Sequence, residues 1–222
     1  NSLTSYYVFE NGSSTTGTLT VKIIPAANKV ACPNAEDEMQ IFILPSPAAN
    51  ISGTATICSG TSTNITFTAT ANTTVTYKIN NGADQTINVG ASGTATLSTG
   101  NLYSSTTYSL VSVMYSTIPN CTQNVTGSAV ITVNPAAVVS AGANQTICEG
   151  STATMNATLS GGATSATWSG GTGSFSDDTP TAVYTPSAAD VSAGSVILTY
   201  TSNDPAGPCG LVSSSLTLTI NP

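Results

Sequence analysis

The sequence predicts an all-β protein: tandem antiparallel β-sandwich modules arranged as a rod. Three observations predict it. Short runs alternate apolar residues with threonine, the period-two signature of strands with one buried face. The residue supply suits strands and turns, with 39 threonines, 30 serines and 19 glycines in 222 residues. Landmarks also recur at a spacing of about 90 residues, the length of a small sandwich module.

The repeat is read from two sets of residues. Thr56-Ile57-Cys58-Ser59-Gly60 returns as Thr146-Ile147-Cys148-Glu149-Gly150, an offset of 90. A strand closing on proline appears three times, as Ile41–Pro45, Ile131–Pro135 and Leu218–Pro222. Residues 1–45 are therefore expected to be the C-terminal part of an incomplete module, 46–135 a second module and 136–222 a third. Pro45-Ser46-Pro47 and Pro135-Ala136-Ala137 read as short, stiff joints without a flexible Gly/Ser spacer.

Module one supplies strands at Tyr6–Glu10, Thr18–Ile24 and Met39–Leu44. In isolation it would expose half a core, including Val8, Leu19, Val21 and Ile23. In module two, Ile65, Phe67 and Ala69 share one face, as do Val75, Tyr77 and Ile79. Asn81-Gly82 between strands is a hairpin signal, because both residues accept positive φ. In module three, Ala153, Met155, Ala157 and Leu159 form one buried row, and Leu216, Leu218 and Ile220 another. Gly161-Gly162 and Gly170-Gly171 mark turns. Ser187-Ala188-Ala189-Asp190 reads as a capping box over one helical turn. About seven strands per complete module are expected.

Charge and composition exclude several functions. Charged residues are 6% of the chain, there is no histidine, and the net charge is −7. Three lysines cannot form the basic stripe that nucleic acid requires. Mean hydropathy is +0.17, and no stretch of about 18 apolar residues exists to cross a membrane as a helix. Serine nucleophiles lack a histidine base, and no Gly-x-Ser-x-Gly elbow occurs. The ten acids are scattered over turns, which does not suggest a carboxylate pair in a cleft. Glu36-Asp37-Glu38 and Asp177-Asp178 lack calcium-loop spacing and read as solvated turns. No catalytic residue, metal ligand or cofactor site is therefore expected. Asn-x-Ser/Thr sequons at Asn11, Asn50, Asn64, Asn72, Asn124, Asn144 and Asn156 follow from the abundance of both residue types. Trp168 reads as a core aromatic of the third strand, with Tyr77 in the comparable place of module two. A sugar-stacking platform is the sharper alternative.

The five cysteines keep the repeat. Cys58 and Cys148 open modules two and three. Cys32, Cys121 and Cys209 precede the module-ending prolines by 13 or 14 residues. Module one lacks an opening cysteine, so Cys32 is expected to be unpaired by truncation, and the chain to be a piece of a longer array. Recurring cysteines in a secreted β-chain are expected to be oxidised. The default pairing is within modules, Cys58–Cys121 and Cys148–Cys209. A geometric objection stands against it, because in an immunoglobulin topology the two turns concerned lie at opposite ends of a sandwich. The alternative is a staple across the boundary, Cys58 to Cys209, leaving Cys32, Cys121 and Cys148 for partners beyond these residues.

The sequence resembles the tandem immunoglobulin-like, PKD-like and fibronectin-III-like modules of giant Bacteroidota surface adhesins of the gliding-motility type. Ala141–Gly150, Tyr184–Asp190 and Asn203–Cys209 carry the resemblance in module three. Module two, through Leu102 to Tyr108 and Ser109–Val113, is more similar to fibronectin-III relatives. The resemblance implies export by type IX secretion, display on the outer surface and a stalk role, spacing an adhesive region from the cell. Its implied partners are neighbouring modules of the same longer chain, surface glycans or other surface proteins. Neither nucleic acid nor direct membrane insertion is implied. Two other roles compete: an ancillary carbohydrate-binding or spacer module of a secreted polysaccharide-degrading enzyme, and a subunit of an extracellular filament completed by a neighbour's strand.

Overall fold

The computed structural model describes residues 17–23, 37–118 and 120–222. Tyr6–Glu10, Val8 and Cys32 lie outside the described residues. The first pair of strands, β1 (Gly17–Ile23) and β2 (Asp37–Ile43), is antiparallel, with Gly17 opposite Ile43.

The strands then fall into two sets. The first set runs β3 (Ala49–Ser52), β4 (Ala55–Cys58), β5 (Asn64–Ala69), β6 (Thr73–Ile79), β7 (Asp84–Val89), β8 (Thr94–Ser98), β9 (Thr106–Tyr115), β10 (Thr122–Asn124) and β11 (Ser128–Asn134). One sheet orders β3-β5-β8, and the other orders β4-β11-β9-β6-β7 with β10 on β9. Ile65 and Phe67 from the first sheet meet Val75, Tyr77, Val113 and Ile131 from the second, all buried. These are the rows that the alternation predicts.

The second set runs β12 (Ala137–Ser140), β13 (Gln145–Cys148), β14 (Ala153–Thr154), β15 (Thr158–Gly161), β16 (Ala166–Ser169), β17 (Ser174–Phe175), β18 (Val183–Thr185), helix α1 (Ala188–Ala193), β19 (Ser195–Ser202) and β20 (Ser213–Asn221). The orders are β13-β20-β19-β16, β14-β18-β17 and β12-β15. Met155, Trp168, Tyr184, Leu198, Leu216 and Leu218 close a separate core. No sheet mixes the two sets. The fold is tandem β-sandwich, with α1 the one helix among the described residues.

Each set has nine strand segments rather than seven, because long strands are divided. The first strand changes sheets part-way in both sandwiches. β3 pairs antiparallel with β5, then β4 pairs parallel with β11. Likewise β12 pairs antiparallel with β15, then β13 parallel with β20. A glycine sits at each crossing. Gly53 has φ 115° and Gly142 φ 91°, and a Cβ on either would lie 2.6 Å from a carbonyl oxygen, of Asn64 or Asn156. Only glycine combines that φ with that approach.

Two sequence expectations need correction in detail. The hairpin between β6 and β7 turns on Asn80-Asn81, both with positive φ, and Gly82 N–H closes it by donating to Ile79 O at 2.8 Å. The turn is therefore one residue earlier than Asn81-Gly82, since the I′ geometry needs its two central residues at positive φ. The row Ala153–Leu159 keeps its alternation but is not one strand. Its start, β14, pairs with β18, and its end, β15, pairs with β12.

Candidate functional site

The joint between the two sandwiches is where the chain's special chemistry collects. At the end of β4, Cys58 lies opposite Asn134 in the parallel ladder, and Ser59 N–H donates to Asn134 O at 2.9 Å. The next residues make a tight turn. Thr61 N–H and its hydroxyl both donate to Cys58 O, at 3.1 and 2.7 Å, and Gly60 takes the φ of 83° that the turn requires. The Cys58 side chain is thus fixed at the rim beside the last residue of β11.

From the other sandwich, the loop 203–212 joins β19 to β20 and reaches this rim. Its base is closed by Ser202, whose N–H donates to Val212 O at 2.9 Å and whose hydroxyl accepts Val212 N–H at 3.0 Å. Asn203 holds the neighbouring loop by accepting Thr164 and Ser165 N–H at 2.9 and 3.1 Å. Pro205 and Cys209 are buried in the joint. Asn134 Nδ2 donates to Ala206 O at 2.8 Å. A Cβ on Gly162 would collide with Pro135 O, and one on Gly207 with the Asn134 amide, so both glycines mark backbone pressed against the linker.

Cys58 and Cys209 are joined by a disulfide, with Cα atoms 5.1 Å apart and a sequence separation of 151. Cys209 Sγ also lies 3.5 Å from Asn134 O, as a contact only, since a disulfide sulfur carries no proton to donate. The bond corrects the default pairing of Cys58 with Cys121 and of Cys148 with Cys209. β9 shows why. Cys58 lies beside the end of β11, which pairs with the start of β9, whereas Cys121 O accepts Tyr115 N–H at the far end of β9. Ten strand residues span about 30 Å, and disulfide Cα atoms lie within about 7 Å. Cys148, opposite Asn221, and Cys209, before Ser213, are likewise at opposite ends of β20. Cys121 and Cys148 are exposed thiols among the described residues.

The joint before β3 is made differently. Tyr115 hydroxyl donates to Pro45 O at 3.0 Å. The loop bearing Cys121 leaves Ile118 almost fully exposed, at 92%.

Inside the second sandwich, Asp190 is 5% exposed and is the hub of a polar network. It accepts from Tyr184 hydroxyl (2.8 Å), Ser187 N–H (2.9 Å), and Thr172 N–H and hydroxyl (both 2.9 Å). Burial pushes its pKa up, but the hydrogen bonds together outweigh burial and hold the carboxyl well below the usual carboxylate range. The expected capping box is present, with Ser187 as N-cap and Asp190 at N3. What sequence reasoning missed is that the capping acid also anchors Tyr184.

Trp168 is buried, donates from Nε1 to Thr179 O at 3.0 Å and packs 4.6 Å from Tyr200. It is a core aromatic of β16 and offers no sugar platform. Asp177 caps its own turn by accepting from Thr179 N–H, whereas Asp178 ties that turn to β16 by accepting Trp168 N–H at 3.0 Å. Hydrogen bonds from Thr179 and Ser176 pull the Asp177 pKa down. Among the described residues no three or more Cys, Asp or Glu side chains gather as a metal site.

No family model and no curated protein matches the chain. Solved structures of cadherin domains overlap it loosely. Protocadherin Gamma B7 extracellular cadherin domains 1–4 give a TM-score of 0.37 at 13% identity, over 94% of this chain and 58% of that one. Mouse clustered PcdhgC3 EC1–3 gives 0.32 at 11%, over 93% and 77%. Drosophila N-cadherin EC1–4 gives 0.44 at 16%, over 84% and 52%. The chain thus spans little more than half of the first and third.

Proposed function

We propose that the chain is a stalk segment of a large secreted bacterial surface adhesin, a row of β-sandwich modules that spaces an adhesive region from the cell. The observation that carries this reading is the Cys58–Cys209 disulfide, which ties the opening of one sandwich to the last loop of the next. A spacer needs each module closed on its own core and each joint restrained, and a covalent tie across a joint serves that need. An oxidised cysteine pair fits an extracellular location. The Bacteroidota class of adhesin and its type IX export are the assignment that the sequence resemblance favours. The reading gives the segment no catalytic role, and its partners are adjoining modules.

Small-angle scattering with and without reductant, paired with a glycan-array screen, tests this. The expected result is an extended particle whose maximum dimension becomes more variable on reduction, with no glycan bound by this segment. A folded-back particle, or specific glycan capture, would overturn it in favour of a carbohydrate-binding module.

A further inference from the structure

The joint has two halves: a rim that receives and a loop that is received. The receiving half is built twice in this chain. In the first copy Cys58 lies opposite Asn134 across parallel strands, and Ser59 N–H donates to Asn134 O at 2.9 Å. In the second, Cys148 lies opposite Asn221 across parallel strands, and Glu149 N–H donates to Asn221 O at 2.7 Å. The turns that follow also agree. Thr61 N–H reaches Cys58 O at 3.1 Å, and Ser151 N–H reaches Cys148 O at 3.1 Å, with Gly60 at φ 83° and Gly150 at φ 81°. Each asparagine is followed by proline, Pro135 or Pro222. The first rim is filled by the loop carrying Cys209. At the second, Cys148, Asn221 and Pro222 are all exposed.

We propose that the Cys148/Asn221 rim is a second docking socket, and that its occupant is a cysteine-bearing loop of the type that carries Cys209, supplied by a further module of the same kind. The filled Cys58 rim is the independent observation, since the same residue types at the same register already hold such a loop. Asn221 Nδ2 donates to a carbonyl of the incoming loop, as Asn134 does to Ala206, and Cys148 becomes its disulfide partner. The oxidant is a low-molecular-weight disulfide such as glutathione disulfide. Cys148 thiolate attacks it and releases one glutathione. The loop thiolate then attacks the mixed disulfide and releases the second. Two electrons and two protons pass from the two cysteine thiols to glutathione disulfide, which becomes two glutathione molecules.

The inference rests on the array reading above, and the two fail separately: an extended particle without this bond would sink only the socket. The test fuses a second copy of residues 136–222 directly after Pro222 of the full chain and maps disulfides in glutathione redox buffer. The expected product links Cys148 to Cys209 of the added copy while keeping Cys58–Cys209. Asn221→Ala in the fused chain is expected to lower the fraction linked at a given redox ratio by about threefold to tenfold, the worth of one hydrogen bond. A fused chain with Cys58–Cys209 intact but Cys148 free, or with both cysteines of the added copy paired to each other, overturns the socket. A second measurement needs no fusion. The peptide spanning Asp204–Val212, as its glutathione mixed disulfide, is offered to the unfused chain. Cys148 is expected to take up the peptide several-fold more than Cys121, an exposed thiol without a rim. Equal uptake overturns the proposal.

Discussion

Gly207 lies against the side-chain amide of Asn134 so closely that a Cβ cannot be placed between them. Its φ of 91° adds a second reason for glycine. Gly207→Ala is therefore expected to leave both sandwiches folded and to loosen the joint. The Cys58–Cys209 pair should shift toward thiols by roughly fivefold to 150-fold in a glutathione titration, equivalent to the 1–3 kcal/mol typical of such strain. An unchanged redox midpoint would show that the close fit does not support the bond.

Cys58→Ser removes the tie without removing core atoms. The chain-entropy relation assigns about 5 kcal/mol to a closure as long as 151 residues. The variant is expected to keep the far-ultraviolet spectrum of the parent and to unfold at lower denaturant. Non-reducing peptide maps of Cys121→Ser, by contrast, should keep the Cys58–Cys209 linkage.

Asp190→Ala is expected to cost about 3 kcal/mol in the second sandwich, because Tyr184 hydroxyl and two backbone N–H groups lose a buried charged acceptor. The pH dependence has a definite sign. The native carboxyl has a lowered pKa, so its stabilisation is full above the unfolded value of about 3.9 and fades as pH falls below that value. The stability gap between parent and Asp190→Asn, read from urea midpoints, should be smaller at pH 2.5 than at pH 7 but still open there, because the native pKa lies well below the unfolded one.

Gly53→Ala and Gly142→Ala should each weaken one sandwich by roughly 1–3 kcal/mol, or more where the carbonyl cannot retreat. Hydrogen exchange resolves the two. The first substitution should speed exchange in β3 and β5, and the second in β12 and β15.

Much of the fold is written locally and so can be read locally. Thr66 and Thr68 flank Phe67, and alternation of that kind puts a side chain on one face whatever its distant partners are. Trp168 and the Ser187/Asp190 capping box are legible for the same reason, since their chemistry lies within a few residues. The disulfide is not local. Spacings of 63 between Cys58 and Cys121 and 61 between Cys148 and Cys209 suit an intramolecular pair as well as a staple. Only the strand order, which places Cys58 at one end of β9 and Cys121 at the other, decides between them. The second role of Asp190 was hidden likewise, because Tyr184 meets it through the packing of α1 rather than through the capping pattern.

The disulfide also changes how the molecule would bear a mechanical load. A pull applied to the two ends of this segment enters the first sandwich through β3 and β4, crosses the sulfur bridge and leaves along β20. Everything between Cys58 and Cys209 then hangs from the load path as a closed ring and is not drawn out by it. Without the bridge, a chain stretch of that length could lengthen by roughly 500 Å once its sheets gave way. With it, the tether would yield only through its outer parts, and its reach would stay nearly constant under tensions that unravel unbridged domains.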